Sequence, residues 1–297
     1  MTKQDKISKI LEGTIDLHQH SGPGLIPRSL DHFEGAKDAI NAGMRAIVVK
    51  DQHSMTCNAI YFIEKYLLKV KDAPFDIFGG LVLNNATGGI NLHTVDAAIK
   101  YGAKIIWMPT LSSKNHIEIH KRTVTSFPSA KGKFIDETPL TILDENGHLL
   151  PQVSQICDLI AEADIILSTG HLHLDETRLL VDEAKQKGVK KILMQHPEFL
   201  IDATIDQMIE LANKGVFIEH SLILFETGVR EKKYLVEMIK AVGAERTILG
   251  SDTGQAKHPA PIEILRRSVT YLLEMGITAE EIDLMLRKNP AKLLNLD

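Results

Sequence analysis

Residues 14–20 read Thr-Ile-Asp-Leu-His-Gln-His, which sets His18 and His20 two positions apart. Side chains alternate across a strand, so residues two apart share a face and two imidazoles there can grip one ion. Read as a strand, Asp16, His18 and His20 face one way. Ile15, Leu17 and Gln19 face the other and are expected to pack on helices. The pair alone is a weak signal, but the ends of other apolar runs strengthen it. One run closes on Ser-Thr-Gly-His171-Leu-His173, another on Leu-Met-Gln-His196, another on Ile-Glu-His220 and another on Leu-Gly-Ser-Asp252. An earlier run closes on Val-Val-Lys50, with His53 three residues beyond. A chance distribution would scatter histidines over helices and surface loops as well, as with His32, His93 and His258, which receive no role. Imidazole and carboxylate together suit Zn²⁺ or a related divalent ion, one or two per chain.

The elements that must bring these residues together follow from the hydrophobic pattern. Eight short apolar runs occur, spanning residues 14–20, 45–51, 77–84, 104–110, 164–171, 191–196, 215–221 and 246–252. They are rich in Ile, Val and Leu, as strands buried on both faces should be. Helical patterns lie between them, and those over 29–42, 92–101, 175–187 and 205–214 each end at a glycine. Strand, helix, glycine, strand is the repeat of a βα unit. Eight such units point to an α/β fold, a (β/α)8 TIM barrel over residues 1–297 as a single domain. An open doubly wound sheet is the alternative, but no GxGxxG follows a strand. Catalytic residues of such barrels come from the C-terminal strand ends, where the polar residues collect. The longest gap, residues 111–151, reads as a lid inserted after strand four, with Asn146-Gly147 signalling a hairpin. His116 and His120 in it fit one face of an exposed polar lid helix; a metal or substrate contact is the sharper reading. A short helix is expected before strand one, and helices over 258–275 and 279–296 after strand eight.

Composition narrows the class of function. The chain has 297 residues, 44% hydrophobic and 25% charged, as for a folded globular protein. A net charge of −5 leaves no broad electrostatic footprint for nucleic acid. Two cysteines without a CxxC argue against a structural zinc cluster and suit a reducing compartment. The polar N-terminus and the absence of a spanning apolar run lead to the expectation of a cytoplasmic protein with a small-molecule substrate. No nucleic-acid or membrane partner is expected, and a homo-oligomer stays open.

The constellation resembles the amidohydrolase superfamily of metal-dependent hydrolases: His18 and His20 on strand one, His171 on strand five, His196 on strand six and Asp252 on strand eight. The tail Asn-Pro-Ala-Lys-Leu-Leu is similar to the close of many members. The strand-one stretch, Val-Val-Lys-Asp-Gln-His and Trp-Met-Pro-Thr look most like an uncharacterised branch, a domain of unknown function. The resemblance implies a metal held by His18, His20, His171, His196 and Asp252. It also implies water attacking an amide, ester, lactone or related bond, with Asp252 and His196 as the catalytic pair. Asp16 would lie beneath the metal and orient a ligand histidine. Many members carry a bridging carboxylated lysine on strand four, and here that strand ends Trp107-Met108-Pro109-Thr110. Lys50 has three readings: such a bridge, an ammonium for an anionic substrate, or a structural partner of Asp16 or Asp252. His53 reads as a ligand, a substrate contact or a plain loop histidine. Further substrate-binding candidates are Arg28 in the glycine-rich first loop, Asn84, His173 and His220.

A second resemblance is to the polymerase-and-histidinol-phosphatase (PHP) type of phosphoesterase, which begins Asp-x-His-x-His and uses seven strands and three metals. Lys50-Asp51-Gln52-His53 is a loose echo of its second strand. The eight runs and the tail favour the first family. A barrel that binds metal and ligand without turnover is the non-enzyme alternative.

Overall fold

The computed structural model describes residues 3–68, 74–123 and 135–296. Part of the expected lid, residues 124–134, lies outside them. Nine strand segments occur among the described residues, all paired in parallel. They are β1 (Ile15–Gln19), β2 (Ala46–Val49), β3 (Asp76–Phe78), β4 (Gly80–Val82), β5 (Ile105–Trp107), β6 (Ile166–Ser168), β7 (Ile192–Gln195), β8 (Phe217–Ser221) and β9 (Thr247–Gly250). β3 and β4 are one stave bent at Gly79, since β2 pairs with β3 and β4 pairs with β5. A Cβ at Gly79 would sit 2.6 Å from the Cys57 backbone nitrogen, so the bend demands glycine. The first and last staves meet through Asp252 N–H on His18 O (2.8 Å) and His20 N–H on Thr253 O (2.9 Å). The wall therefore has eight staves, not the seven of the phosphoesterase type.

Two apolar clusters show which way the staves face. Ile15, Leu17, Ala46, Val48, Val82, Ile105, Trp107, Ile166, Leu193, Phe217 and Ile248 fill the interior, with Ala291, Leu293 and Leu294 beneath them. The alternate residues, among them Ile47, Val49, Ile106, Leu167, Met194, Ile218 and Leu249, pack outward on the helices. Ile15 and Leu17 thus point inward, contrary to the expected phase. The register of β1 against β2 slips between Asp16 and Gln19. Such a bulge shifts the alternation by one residue, so His18 follows Leu17 into the barrel.

The helices are α1 (Lys3–Leu11), α2 (His32–Asn41), α3 (Cys57–Ile63), α4 (Leu92–Lys100), α5 (Lys114–Thr123), α6 (Pro151–Ala163), α7 (Leu174–Gln186), α8 (Ile205–Asn213), α9 (Leu222–Glu226), α10 (Lys232–Val242), α11 (Pro261–Glu274), α12 (Ala279–Asp283) and α13 (Asn289–Leu294). The expected helix over 279–296 is broken by a π turn at Leu284–Lys288. That break lets the Asn289 amide donate to Ala244 O and Thr247 O, both at 2.8 Å, and tie the tail to the foot of β9. Asn146 and Gly147 form a tight turn in which Asp144 N–H reaches His148 O and Leu143 bridges Leu149. Among the described residues, no helix is long and apolar enough to cross a membrane.

Candidate metal centre

The interior layer above Val48, Leu193 and Phe217 is polar. Two residues further along each stave come Lys50, Gln195 and Glu219, all buried. Beside them stand His18 from β1, His20 one residue past its end and Asp252 from the turn after β9. Asp252 and His196 both leave their strands with positive φ, +47° and +30°. A left-handed conformation costs a non-glycine residue about 1 kcal/mol or more and collects at functional sites. Gly254 (φ +134°) lets the last loop close on the first strand, because a Cβ there would fall 1.5 Å from His20 O.

His18, His20 and Asp252 each present a ligand atom, and these atoms all lie within 4.8 Å of one another. Their proton inventory can be deduced. His18 Nδ1 sits 2.6 Å from Glu219 Oε1, and His20 Nδ1 sits 2.8 Å from the Lys50 carbonyl oxygen. A carbonyl and an ionised carboxylate only accept, so both Nδ1 atoms donate; a neutral His20 ring then turns an Nε2 lone pair inward, and His18 does so once its second proton is displaced. Those Nε2 atoms lie 3.0 and 3.1 Å from one Asp252 oxygen, itself an acceptor. His20 Nε2 and the Asp252 oxygen thus face each other as acceptors at a buried point that suits a cation, which would take the place of the proton His18 otherwise holds. For His18 burial favours the neutral ring, but the Asp252 and Glu219 carboxylates outweigh it and raise its pKa to about 9. For His20 burial wins, and its pKa falls to about 4. Burial alone would raise Asp252; His18 and His20 instead hold it well below the usual carboxylate range.

A second pair adjoins the first. The His171 and His196 rings are 4.8 Å apart, and His196 is 6.0 Å from His18. His171 Nε2 and His196 Nδ1 are buried without a hydrogen-bond partner. His171 Nδ1 meets His116 Nδ1 at 2.7 Å, with the rings stacked. Burial lowers His116 to about 3 and keeps it a neutral acceptor. His171 Nδ1 can then donate, leaving Nε2 as the free lone pair. His116 is therefore buried against a candidate ligand, not exposed on a polar lid helix. The His120 ring lies against it, tilted by 39° with centroids 4.3 Å apart.

Lys50 Nζ donates to Gln195 Oε1 (2.9 Å), meets His18 Nε2 at 3.1 Å and lies 5.3 Å over Trp107. Burial lowers its pKa to about 8. Asp16 is not its partner: Asp16 Oδ1 accepts from the backbone N–H of His18 (3.0 Å) and Ser251 (3.1 Å). Asp16 holds strand backbones, and the ring of His18 is oriented by Glu219.

Four other candidates stand apart from the cluster. His220 follows Ile218 to the outer face, where Nδ1 meets Glu198 at 3.1 Å. His173 caps α7, accepting from Asp175 N–H, with its side chain 57% exposed. Asn84 is a loop staple: its amide donates to Gln52 O and Thr110 Oγ1, and its oxygen accepts from Thr110 N–H and Ser112 N–H. His53, half-buried with its N–H on Asp51 Oδ1, lies outside both the cluster and the cavity wall. Strand parity explains the position of His220. Phe217 and Glu219 share the inner face while Ile218 and His220 share the outer one.

A cavity of about 450 Å³ opens over the cluster. His20, Lys50, His171, His196 and Asp252 form its floor, with Arg28 and His258 also on its wall.

A family model described as "Family of unknown function (DUF6282)" matches residues 13–219. No curated protein matches the chain. Among solved structures, an amidohydrolase from Pseudomonas aeruginosa superposes with a TM-score of 0.67 at 12% identity, covering 99% of this chain and 98% of that one. The probable dipeptidase PvdM from the same organism gives 0.63 at 9%, covering 98% and 97%. An organophosphorus hydrolase from Deinococcus radiodurans gives 0.60 at 15%, covering 97% and 93%. The shared feature is the fold, a TIM barrel.

Proposed function

The chain belongs to DUF6282, a family of unknown function, and from that premise we propose that it is a metal-dependent hydrolase in which water attacks an amide, ester, lactone or related bond of a small molecule. One observation carries the reading. His20 Nε2 faces an Asp252 oxygen at 3.1 Å while its own N–H is committed to the Lys50 carbonyl. Lone pair against lone pair in a buried site is costly unless a cation lies between. His18, His20 and Asp252 would hold a divalent ion, for which zinc suits the donor set. His171 Nε2 and His196 Nδ1 would hold a second. Such an ion polarises a scissile carbonyl or phosphoryl oxygen and brings the pKa of its water toward neutrality.

The chain's own residues then divide the work. Asp252, with 17% of its side chain exposed, reaches both the cluster and the cavity. It accepts the proton of the attacking water and passes it to the leaving group. Glu219 and the Lys50 carbonyl fix the imidazoles. The Lys50 amine donates to Gln195, which fits an ammonium at the cavity floor better than a bridging carbamate. The phosphoesterase alternative needs the Asp51–His53 stretch at the metal. Asp51 faces Arg28 and His53 lies in the loop, so that reading lacks ligands.

Dialysis against a chelator is expected to abolish hydrolysis of whichever ester, lactone or amide in a panel the purified protein cleaves, and zinc or manganese to restore it. Unchanged turnover in protein shown to be metal-free contradicts the proposal.

A further inference from the structure

We propose that the substrate is a small carboxylate with an apolar body, its carboxylate held by Arg28 while the scissile bond lies over the His18–His20–Asp252 cluster. The assignment rests on the hydrolase reading above, but its evidence is a different part of the cavity. The loop after β1 and the loop after β9 are zipped together. Arg28 bridges Gln255, and Ala256 N–H reaches Pro27 O at 3.0 Å. This fixes the backbone that carries Arg28 on the cavity wall.

The Arg28 side chain is only 4% exposed. None of its three guanidinium nitrogens has a hydrogen-bond acceptor among the described residues. The Asp51 carboxylate stands 3.6 Å away, close enough to balance charge but too far for a hydrogen bond. The other Asp51 oxygen is occupied by His53 N–H (2.8 Å) and Ser54 Oγ (3.1 Å). Gly24 keeps this corner tight, since a Cβ there would lie 2.8 Å from Asp51. A buried guanidinium with unused donors is a costly arrangement for a protein to keep without a ligand. Its planar fork matches the two oxygens of a carboxylate.

The rest of the wall defines the body of the ligand. Ile26, Leu111, Phe199, Leu200, Ile223 and Val229 make it largely apolar. Asp252 is the one carboxylate lining the cavity among the described residues, and Lys257 adds a positive charge at the exposed rim. Because Asp51 already offsets part of the Arg28 charge, a single negative charge suits the site better than a phosphate dianion.

The test measures binding and needs no turnover. Calorimetry on the full-length protein as purified would compare 4-phenylbutyrate, its neutral amide and 3-phenylpropyl phosphate in wild type, Arg28→Met and Arg28→Lys. Wild type is expected to prefer the carboxylate over the amide by about tenfold or more, the scale of a charge-assisted hydrogen bond. Arg28→Met should erase that preference, lowering carboxylate affinity far more than amide affinity. Arg28→Lys keeps the charge and loses the fork, and should retain a reduced preference; it carries the test if the Met variant fails to fold. A carboxylate preference that survives intact in both variants would mean that the metal or Lys50 holds the anion, and would overturn the assignment. Tighter binding of the phosphate ester than the carboxylate would overturn the carboxylate class. Arg28-dependent binding in a protein that hydrolyses nothing would support this site and sink the hydrolase reading alone.

Discussion

Asp252→Asn is expected to lower kcat by about 10²–10⁴-fold, the range for losing a positioned proton acceptor, with much less change in substrate affinity. The substitution keeps shape and hydrogen-bonding capacity while removing the charge. In the native site that charge faces His18 and His20 at 3.0 and 3.1 Å. Asparagine could still place an oxygen toward the imidazoles, but it can no longer take a proton from water. The measurement is a kcat against KM split on the best substrate from an ester, lactone and amide panel, with bound metal quantified in parallel. A loss confined to KM would remove the proton-transfer role from Asp252. Unchanged kcat with unchanged metal would show that the chemistry lies elsewhere.

Glu219→Gln is expected to weaken metal binding by about 10–100-fold, the usual effect of removing a carboxylate that supports a ligand histidine. Glu219 is fully buried and holds His18 Nδ1 at 2.6 Å. Glutamine fills the same volume and can still accept through its oxygen, but it lacks the charge that makes Nε2 a strong donor. Glu219 helps raise the His18 pKa, so removing one partner of this buried pair should also lower the thermal stability of the metal-free protein. Titration of metal-free protein with zinc, alongside thermal unfolding, separates the two roles. A drop in stability with metal affinity unchanged would make Glu219 a structural residue only.

Much of this architecture is legible in the sequence because parallel barrel strands are apolar on both faces and helices end at glycine. Gly43, Gly102, Gly188 and Gly215 all have positive φ where the helical patterns stop. The clustering of His18, His20 and Asp252 follows from their places at the same ends of staves. Other features depend on geometry that spacing does not encode. The β1 bulge reverses the expected phase of Ile15 and Leu17, and no residue type announces it. Asn84 stands where its type and loop suggest a substrate contact, but it holds three loops together through contacts distant in sequence. His116 reaches His171 across 55 positions, so only the folded chain brings the two rings together. Glu219 is a different case. Its parity with Phe217 places it inside the barrel, while the histidine beside it, the more usual metal-site residue type, faces outward.

The proposed role of His18, His20 and Asp252 is to hold a cation. Its most direct test is elemental mass spectrometry of untagged protein purified without chelators, wild type beside His20→Ala. The wild type should carry about one or two equivalents of a divalent transition metal per chain, and the variant far less, since a ligand is gone. Wild-type protein with almost no metal and no uptake on titration would contradict the account.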